Sequence, residues 1–292
     1  MFTGAMVALI TPFQDGQIDF RTLDELVEFQ IEHGIDAIVP VGTTGECPTL
    51  THDEHKKVIE SVVKTAAGQT PVIAGTGSNS TAEAIDLTAF AKKTGADASL
   101  QVCPYYNKPT QEGFYQHFKA IAEEVDLPMI LYNIPGRCGG EGLTVDTVVR
   151  LANDVENIVG IKEASGKLDM ASEIAARCDI TIISGDDSLT LPICSVGGKG
   201  VISVVANIVP ADVKAMTDLI LEGDFTSALK WHKKLFALSK NMLGLASNPI
   251  PIKAAMAMLG KAPEELRLPM TPLDEAKKTV LRQTLKDYGL LS

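Results

Sequence analysis

The sequence predicts a (β/α)8 TIM barrel, a closed α/β fold, followed by a C-terminal helical extension. Short apolar runs rich in β-branched residues alternate eight times with longer segments of helical periodicity. The apolar runs are continuous, as strands of a parallel sheet covered by helices require. At 292 residues the chain is long enough for such a barrel, which needs about 250 residues. The alternative is an open doubly wound sheet, which is disfavoured because no G-x-G-x-x-G follows the first strand.

The predicted elements follow from these runs in chain order. The strands are expected at residues 6–10, 37–41, 72–74, 98–102, 129–132, 158–162, 180–183 and 200–204. The barrel helices are expected near residues 20–33, 52–66, 81–94, 111–125, 144–153, 168–177, 187–196 and 211–222.

The strand signal stops after residue 223. Segments near residues 225–241, 249–260 and 273–287 have helical periodicity, with prolines between them. We therefore predict a barrel catalytic domain at 1–223 and a C-terminal helical region at 224–292.

Charge and composition exclude several classes of partner. The net charge of −11 argues against nucleic acid and anionic membranes, which favour basic faces. No apolar run approaches the roughly 20 residues that span a bilayer. The N-terminal residues lack the basic region of a signal peptide, so a cytoplasmic location is expected.

The cysteines and histidines give little support for a metal. The five cysteines are odd in number and widely spaced, without a C-x-x-C motif, so reduced thiols are expected. His52 and His55 are three residues apart, but H-D-E-H is not H-E-x-x-H and no third ligand is evident. Asp186 and Asp187 are interpreted as a helix N-cap in preference to a metal site. No metal and no cofactor are predicted.

The strongest chemical candidate is Lys162, at the end of the sixth strand. Burial at a barrel wall lowers the pKa of a lysine, and a neutral amine can attack a carbonyl to form a Schiff base. Tyr132 ends the neighbouring strand, where a phenol can relay protons. Arg137 suits a carboxylate, and the turn at Thr43 and Thr44 can hold an anion through backbone N–H groups. Each has an ordinary structural alternative, but together they describe one site for a keto acid.

Several motifs resemble one known family along essentially the whole chain. They are GTTGE at 42–46, PYYNKPTQEG at 104–113, YNIPGR at 132–137, GIKEASG at 160–166, GVISVVAN at 200–207 and NPIPIK at 248–253. With these motifs the chain resembles the dihydrodipicolinate synthase/N-acetylneuraminate lyase family of class I aldolases. The resemblance implies a Schiff base between a strand-six lysine and pyruvate or a related 2-keto acid.

The resemblance also implies the residues that move protons. Lys162 matches the Schiff-base lysine and Tyr132 the tyrosine that relays protons. Thr43 matches the threonine between that tyrosine and a second one. The second tyrosine matches Tyr106, which in this family reaches the active site of a neighbouring subunit.

Other matches imply the substrates. Thr44 matches the threonine that holds the pyruvate carboxylate, and Gly185 and Ile202 match positions that line the pyruvate pocket. Arg137 matches the arginine that binds the carboxylate of L-aspartate 4-semialdehyde in the dipicolinate-forming synthases. The expected activity is therefore condensation of pyruvate with this aldehyde, on the route to diaminopimelate and lysine. The alternatives are a lyase acting on a sialic or keto-deoxy sugar acid, and a catalytically silent barrel that senses lysine.

Regulation and assembly are implied in the same way. Lysine-inhibited members bind lysine at a dimer interface through residues that match His52, His55, Asn79, Glu83 and Tyr105. Cys47 and Pro48 replace the small pair often found nearby, and Pro48 lacks a backbone donor. L-lysine is thus an expected inhibitor, and a homotetramer built as a dimer of dimers is the expected assembly.

Overall fold

A computed structural model describes residues 2–292 of the chain. Over these residues the strands are β1 (Gly4–Ala8), β2 (Phe13–Gln14), β3 (Gln17–Ile18), β4 (Ala37–Val39), β5 (Ile73–Gly75), β6 (Ala98–Val102), β7 (Met129–Asn133), β8 (Ile158–Glu163), β9 (Thr181–Ser184) and β10 (Gly200–Ser203). The helices are α1 (Phe20–Glu32), α2 (His52–Ala66), α3 (Thr81–Thr94), α4 (Gln111–Glu124), α5 (Pro135–Cys138), α6 (Val145–Asp154), α7 (Leu168–Arg177), α8 (Thr190–Ser195), α9 (Pro210–Leu221), α10 (Phe225–Gly244), α11 (Ile250–Met258) and α12 (Glu275–Tyr288).

Eight strands form one parallel sheet that closes into a barrel. Their order is β4-β1-β10-β9-β8-β7-β6-β5, and every pairing is parallel. The edge strands β4 and β5 meet through a parallel bridge between Ile38 and Val72, which completes the ring. The predicted (β/α)8 barrel is confirmed, and all eight predicted strands fall within a few residues of the observed ones.

The register of β7 on β8 places the proposed catalytic pair side by side. Tyr132 is the partner of Lys162, and Asn133 is the partner of Glu163. Because side chains alternate along a strand, the first pair faces one side of the sheet and the second pair faces the other. The Asn133 side-chain amide donates to Glu163 Oε2 at 2.9 Å, which fixes the register from the outer face.

A short hairpin, β2 and β3, was not predicted. Its turn consists of Asp15 and Gly16, both with positive φ, at 53° and 78°. This is the conformation of a type I′ turn, for which Asp-Gly is a preferred sequence. The signal was therefore present, but strands of two residues are too short to show alternation.

Helix starts follow the local sequence. The Thr51 hydroxyl accepts from the Glu54 backbone N–H while the Glu54 carboxylate accepts from the Thr51 N–H, a complete capping box at the start of α2. The helix predicted at 187–196 is instead divided into a 3₁₀ turn at Asp187–Leu189 followed by α8.

The helices predicted after residue 224 are present as α10, α11 and α12. They share a hydrophobic core with the barrel, in which Leu235 and Leu281 belong to the same buried cluster as Val7 and Ile38. The division at 223/224 stays a prediction. None of the helices described over residues 2–292 is long and apolar enough to cross a membrane.

Candidate active site

A cavity of about 320 Å³ opens at the carboxyl ends of the barrel strands. This is the end at which barrel enzymes carry their active sites. Its lining residues are Thr43, Thr44, Tyr132, Ile134, Arg137, Lys162, Gly185, Asp186, Val204, Leu243, Ala246, Ser247 and Asn248. The structure thus brings six of the predicted catalytic and substrate-binding residues into one cavity.

Lys162 lies on β8 with only 6 % of its surface exposed. Burial lowers the pKa of its ammonium to about 8, although the carboxylates of Asp186 and Asp187 act in the opposite direction. Its Nζ lies 4.3 Å from the centre of the Tyr132 ring. No salt bridge holds this ammonium within residues 2–292, so the alternative of an ion-paired structural lysine is not supported. The amine is placed and tuned to act as a nucleophile at near-neutral pH.

Tyr132 provides a buried phenol beside this amine. Burial raises its pKa, and the Thr43 side chain acts in the opposite direction. The phenol is therefore neutral at physiological pH and can both donate and accept a proton. Thr43 reaches it from the turn after β4, so protons have a route between the two hydroxyls.

The turn at residues 42–45 presents unused hydrogen-bond donors to the cavity. Thr43 and Thr44 lie outside the helices and strands. Over residues 2–292, no main-chain carbonyl accepts a hydrogen bond from the backbone N–H of either residue. Adjacent free N–H groups in a turn form a concave site for an anion. Gly75 packs against this turn, where a Cβ would lie 2.5 Å from the Val41 carbonyl oxygen. Any side chain at Gly75 would therefore displace the turn.

Arg137 belongs to the short helix α5 and is exposed. Its guanidinium donates to the main-chain oxygen of Asn248 at 3.2 Å. The side-chain amide of Asn248 donates to Thr44 Oγ1 at 2.9 Å. Because Thr44 Oγ1 accepts this bond, its own proton is free to point into the cavity. Asn248 therefore links the two candidate carboxylate binders.

The two aspartates after β9 have different roles. Asp186 occupies the N-cap position of the following 3₁₀ turn, as interpreted, whereas Asp187 lies inside that turn. Neither side chain caps the 3₁₀ turn that follows. Asp187 is buried and accepts from the Ser203 hydroxyl and from the backbone N–H groups of Val204 and Val205, which joins β9 to the end of β10. Asp186 lines the cavity, where burial raises its pKa to about 6.

Three predicted residues relate to the cavity in different ways. Gly185 lines it, and a Cβ there would lie 2.5 Å from the Cβ of Ala164, so only glycine fits. Ile202 is buried in the inner barrel cluster that contains Tyr132. Tyr106 does not line the cavity: its side chain is 89 % exposed, and its φ of 72° lies in the left-handed region. A bulky side chain rarely adopts this conformation.

The residues predicted to bind lysine gather at a second, smaller cavity of about 140 Å³. Its lining includes His52, His55, Glu83 and Tyr105. His55 Nε2 lies 2.7 Å from the Gly75 carbonyl oxygen, and burial lowers the pKa of this histidine. His52 and Glu83 are in contact. Asn79 lies nearby, where its amide donates to the Tyr105 carbonyl oxygen at 3.2 Å.

Sequence reasoning missed the contribution of the segment after α10. Ala246, Ser247 and Asn248 complete the wall of the catalytic cavity. Lys253 forms a fully buried ion pair with Glu46 at 2.5 Å. The NPIPIK motif contains Asn248 and Lys253. These two polar residues stand out beside the apolar sequence of α11, and this contrast is the signal that could have indicated the site. No group of three or more His, Cys, Asp or Glu side chains suited to a metal occurs over residues 2–292.

Comparison with known proteins agrees with this geometry. The model of the dihydrodipicolinate synthetase family matches residues 1–288. The 4-hydroxy-tetrahydrodipicolinate synthase of Geotalea uraniireducens is 54 % identical over 293 residues, which cover 100 % of both chains. The crystal structure of dihydrodipicolinate synthase from Aquifex aeolicus matches with a TM-score of 0.97 at 51 % identity, over 99 % of each chain.

Two further crystal structures contain small molecules. A chloride-inhibited dihydrodipicolinate synthase from Acinetobacter baumannii, complexed with pyruvate, matches with a TM-score of 0.97 at 46 % identity over 100 % of both chains. The enzyme from Cyanidioschyzon merolae with lysine bound matches with a TM-score of 0.95 at 41 % identity over 99 % of both chains. The chain belongs to the dihydrodipicolinate synthetase family.

Proposed function

We propose that this enzyme, a lyase, condenses pyruvate with L-aspartate 4-semialdehyde in the 4-hydroxy-tetrahydrodipicolinate synthase reaction. The observation that carries the proposal is Lys162, a buried lysine with a pKa of about 8, in register with Tyr132. The relatives named for this reaction match this chain over nearly its whole length. The product lies on the route to diaminopimelate and lysine.

The first half of the reaction forms the nucleophile. The neutral Lys162 amine attacks the C2 carbonyl of pyruvate, and the carbinolamine loses water to give an imine. Tyr132 donates the proton that the departing hydroxyl requires, and Thr43 returns one to it. The free N–H groups at Thr43 and Thr44 hold the pyruvate carboxylate. Loss of a proton from C3 then gives the enamine.

The second half uses the aldehyde. Arg137 holds the carboxylate of the semialdehyde, for which a guanidinium is well suited. The enamine carbon attacks the aldehyde carbon and forms the new C–C bond. The amino group of the semialdehyde then attacks the imine carbon, which closes the ring and releases the Lys162 amine.

Reductive trapping tests the Schiff base. Incubation with pyruvate and borohydride should add one pyruvate-derived group, mapped to Lys162 by peptide mass spectrometry. Lys167→Ala, which changes an exposed lysine five residues further on, should trap as the unchanged enzyme does. Lys162→Ala should not trap. An unmodified Lys162 in the unchanged enzyme would refute the mechanism.

A substrate panel separates the proposed aldehyde from the alternative. Arg137→Ala should raise KM for aspartate semialdehyde and leave trapping by pyruvate unchanged. Arg177→Ala, at an exposed ion pair on α7, is the matched control. Faster cleavage of a sialic or keto-deoxy sugar acid than condensation of the semialdehyde would favour the alternative lyase.

Lysine is the proposed regulator of the second cavity. The lysine-bound relative from Cyanidioschyzon merolae supports this assignment, as do the carboxylate of Glu83 and the imidazoles of His52 and His55. Glu83→Gln should weaken inhibition by lysine, and KM for pyruvate should not change. A lysine titration without any inhibition would refute the regulatory assignment.

The homotetramer remains a proposal, and it rests on the family resemblance. The exposed Tyr106 would complete the proton relay of a neighbouring copy, which fits its absence from the cavity of its own chain. The cytoplasmic location stays a prediction.

A further inference from the structure

Two cysteines lie together behind the catalytic cavity, on the outer side of the barrel. Cys103 directly follows β6 and precedes the segment that carries Tyr105 and Tyr106. Cys138 is the last residue of α5 and directly follows Arg137. Both are buried, at 0 % and 2 % exposure. The pair therefore joins two segments that the proposed reaction needs in position.

Direct contacts connect the two residues. The Cys138 thiol donates to the Cys103 carbonyl oxygen at 3.1 Å. The Cys103 N–H donates to the Tyr132 carbonyl oxygen at 3.0 Å, so this end of the contact is anchored to β7. The Cys103 thiol donates to Asn133 Oδ1 at 4.0 Å. The neighbouring Cys103 side chain lowers the pKa of Cys138, whereas burial raises the pKa of Cys103 well above its ordinary value. Cys138 is thus the thiol that ionises more readily and reacts first, and Cys103 is the thiol that reacts second.

Small molecules have a route to Cys138. A cavity of about 230 Å³ is lined by Cys138 and by Gly140, Glu141 and Gly142 of the loop that follows α5. The other wall includes Lys108 and Thr110. The loop contains three glycines within four residues, and glycine permits backbone movement at little cost. A hydroperoxide is small enough to enter such a cavity.

We propose that Cys103 and Cys138 are a redox modification site at which oxidation to a disulfide weakens binding of the second substrate. The Cys138 thiolate attacks a peroxide oxygen and breaks the O–O bond, which gives a sulfenic acid and releases water or an alcohol. The Cys103 thiol then attacks that sulfur, the S–S bond forms and water leaves. The two sulfurs supply the two electrons that reduce the peroxide.

The consequence follows from the position of Arg137. The disulfide removes the hydrogen bond from the Cys138 thiol to the Cys103 carbonyl oxygen. The Cys138 sulfur must turn towards the Cys103 sulfur, and the end of α5 moves with it. Arg137 is adjacent in the chain, and over residues 2–292 its guanidinium donates only to the main-chain oxygen of Asn248. Neither cysteine lies on β7 or β8, the strands that carry Tyr132 and Lys162. This inference rests on the proposed function, because it assigns the effect to the aldehyde.

The test compares the reduced enzyme with enzyme treated with hydrogen peroxide. Titratable thiols under denaturing conditions should fall from five to three, and peptide mapping should show Cys103 joined to Cys138. KM for aspartate semialdehyde should rise by about tenfold or more, the effect expected when a charge-assisted contact is lost. Borohydride trapping of pyruvate should be unchanged, and dithiothreitol should restore KM.

Cysteine variants show which thiols cause the rise of KM after peroxide treatment. In Cys138→Ser and in Cys103→Ser, peroxide should leave KM for the aldehyde at the value of the same untreated variant. Cys178→Ser, which changes a half-buried thiol at the C-terminal end of α7, should respond as the unchanged enzyme does. Five thiols after treatment, or an equal rise of KM in Cys138→Ser, would overturn the redox site. Failure of trapping in untreated enzyme would instead contradict the proposed function.

Discussion

The pKa of Lys162 gives a prediction that a change of pH can test. With a pKa of about 8, about one amine in ten is neutral at pH 7. A lysine with an ordinary pKa near 10.5 would have about one neutral amine in 3,000. Burial on β8 therefore increases the nucleophilic fraction by about 300-fold at this pH.

The sign of the pH dependence follows from the reacting form. Only the neutral amine attacks the carbonyl, so the rate of Schiff-base formation should rise about tenfold per pH unit below pH 8 and reach a plateau above it. Single-turnover trapping with saturating borohydride at several pH values measures this rate. A rate that continues to rise beyond pH 9.5 would show an ordinary lysine and refute the reasoning.

Asp186→Asn tests the cause of the shift. The Asp186 carboxylate raises the pKa of Lys162 against the larger effect of burial, so its removal should move the rising part of the profile to lower pH. Asp179→Asn makes the same change at an exposed position and should leave the profile in place. A shift to higher pH in Asp186→Asn would mean that the Asp186 carboxylate does not raise the pKa of Lys162 as proposed.

Three further predictions concern parts of the structure that support the site. Lys253→Met should reduce the free energy of unfolding by about 3–5 kcal/mol because it leaves the Glu46 carboxylate buried without its cationic partner, and chemical denaturation measures this change. The double variant with Glu46→Gln should recover part of the loss. Gly75→Ala should raise KM for pyruvate because its methyl group displaces the turn at residues 42–45, and an unchanged KM would contradict the predicted clash. Tyr106→Phe should lower kcat while pyruvate trapping still occurs, and full activity would argue against a relay shared between subunits.

Much of this site could be predicted because it depends on local patterns. The apolar run of β8 ends in the charged residues Lys162 and Glu163, and the strand of the preceding βα unit, β7, ends in Tyr132 and Asn133. In a parallel barrel, neighbouring units place such residues side by side, and the register confirms it. No disulfide joins the five cysteines in this structure, and their reduced state stays a prediction.

The remainder depends on contacts between distant parts of the chain. Asn248 follows α10, yet its amide reaches Thr44 across 204 positions of sequence. The Asp187 carboxylate likewise binds backbone N–H groups 17 and 18 residues away. A carboxylate beside a helix start has the same local sequence whether it caps that helix or binds elsewhere. Only the tertiary structure decides between these outcomes.

The second cavity has a physical connection to the catalytic one. A smaller cavity of about 20 Å³ lies between them, lined by Cys47 on one side and by Thr43 and Tyr132 on the other. This volume suits about one water molecule. A ligand that moved Cys47 would therefore change the surroundings of the proton relay before it affected Lys162. Inhibition through this route should lower kcat more than it raises KM for pyruvate.

The turn proposed to bind the keto acid is strained, and its surroundings hold it in place. Val41 and Glu46 flank it with φ of 49° and 55°, and such conformations cost about 1–3 kcal/mol each. The strain persists because Glu46 is fixed by the buried Lys253 and by the Arg267 N–H at 3.1 Å. The free N–H groups of the turn are thus oriented before a substrate arrives, which lowers the entropy that binding must overcome. In this fold the C-terminal region stabilises the geometry of the turn, because Lys253 comes from α11 and Arg267 from the segment between α11 and α12.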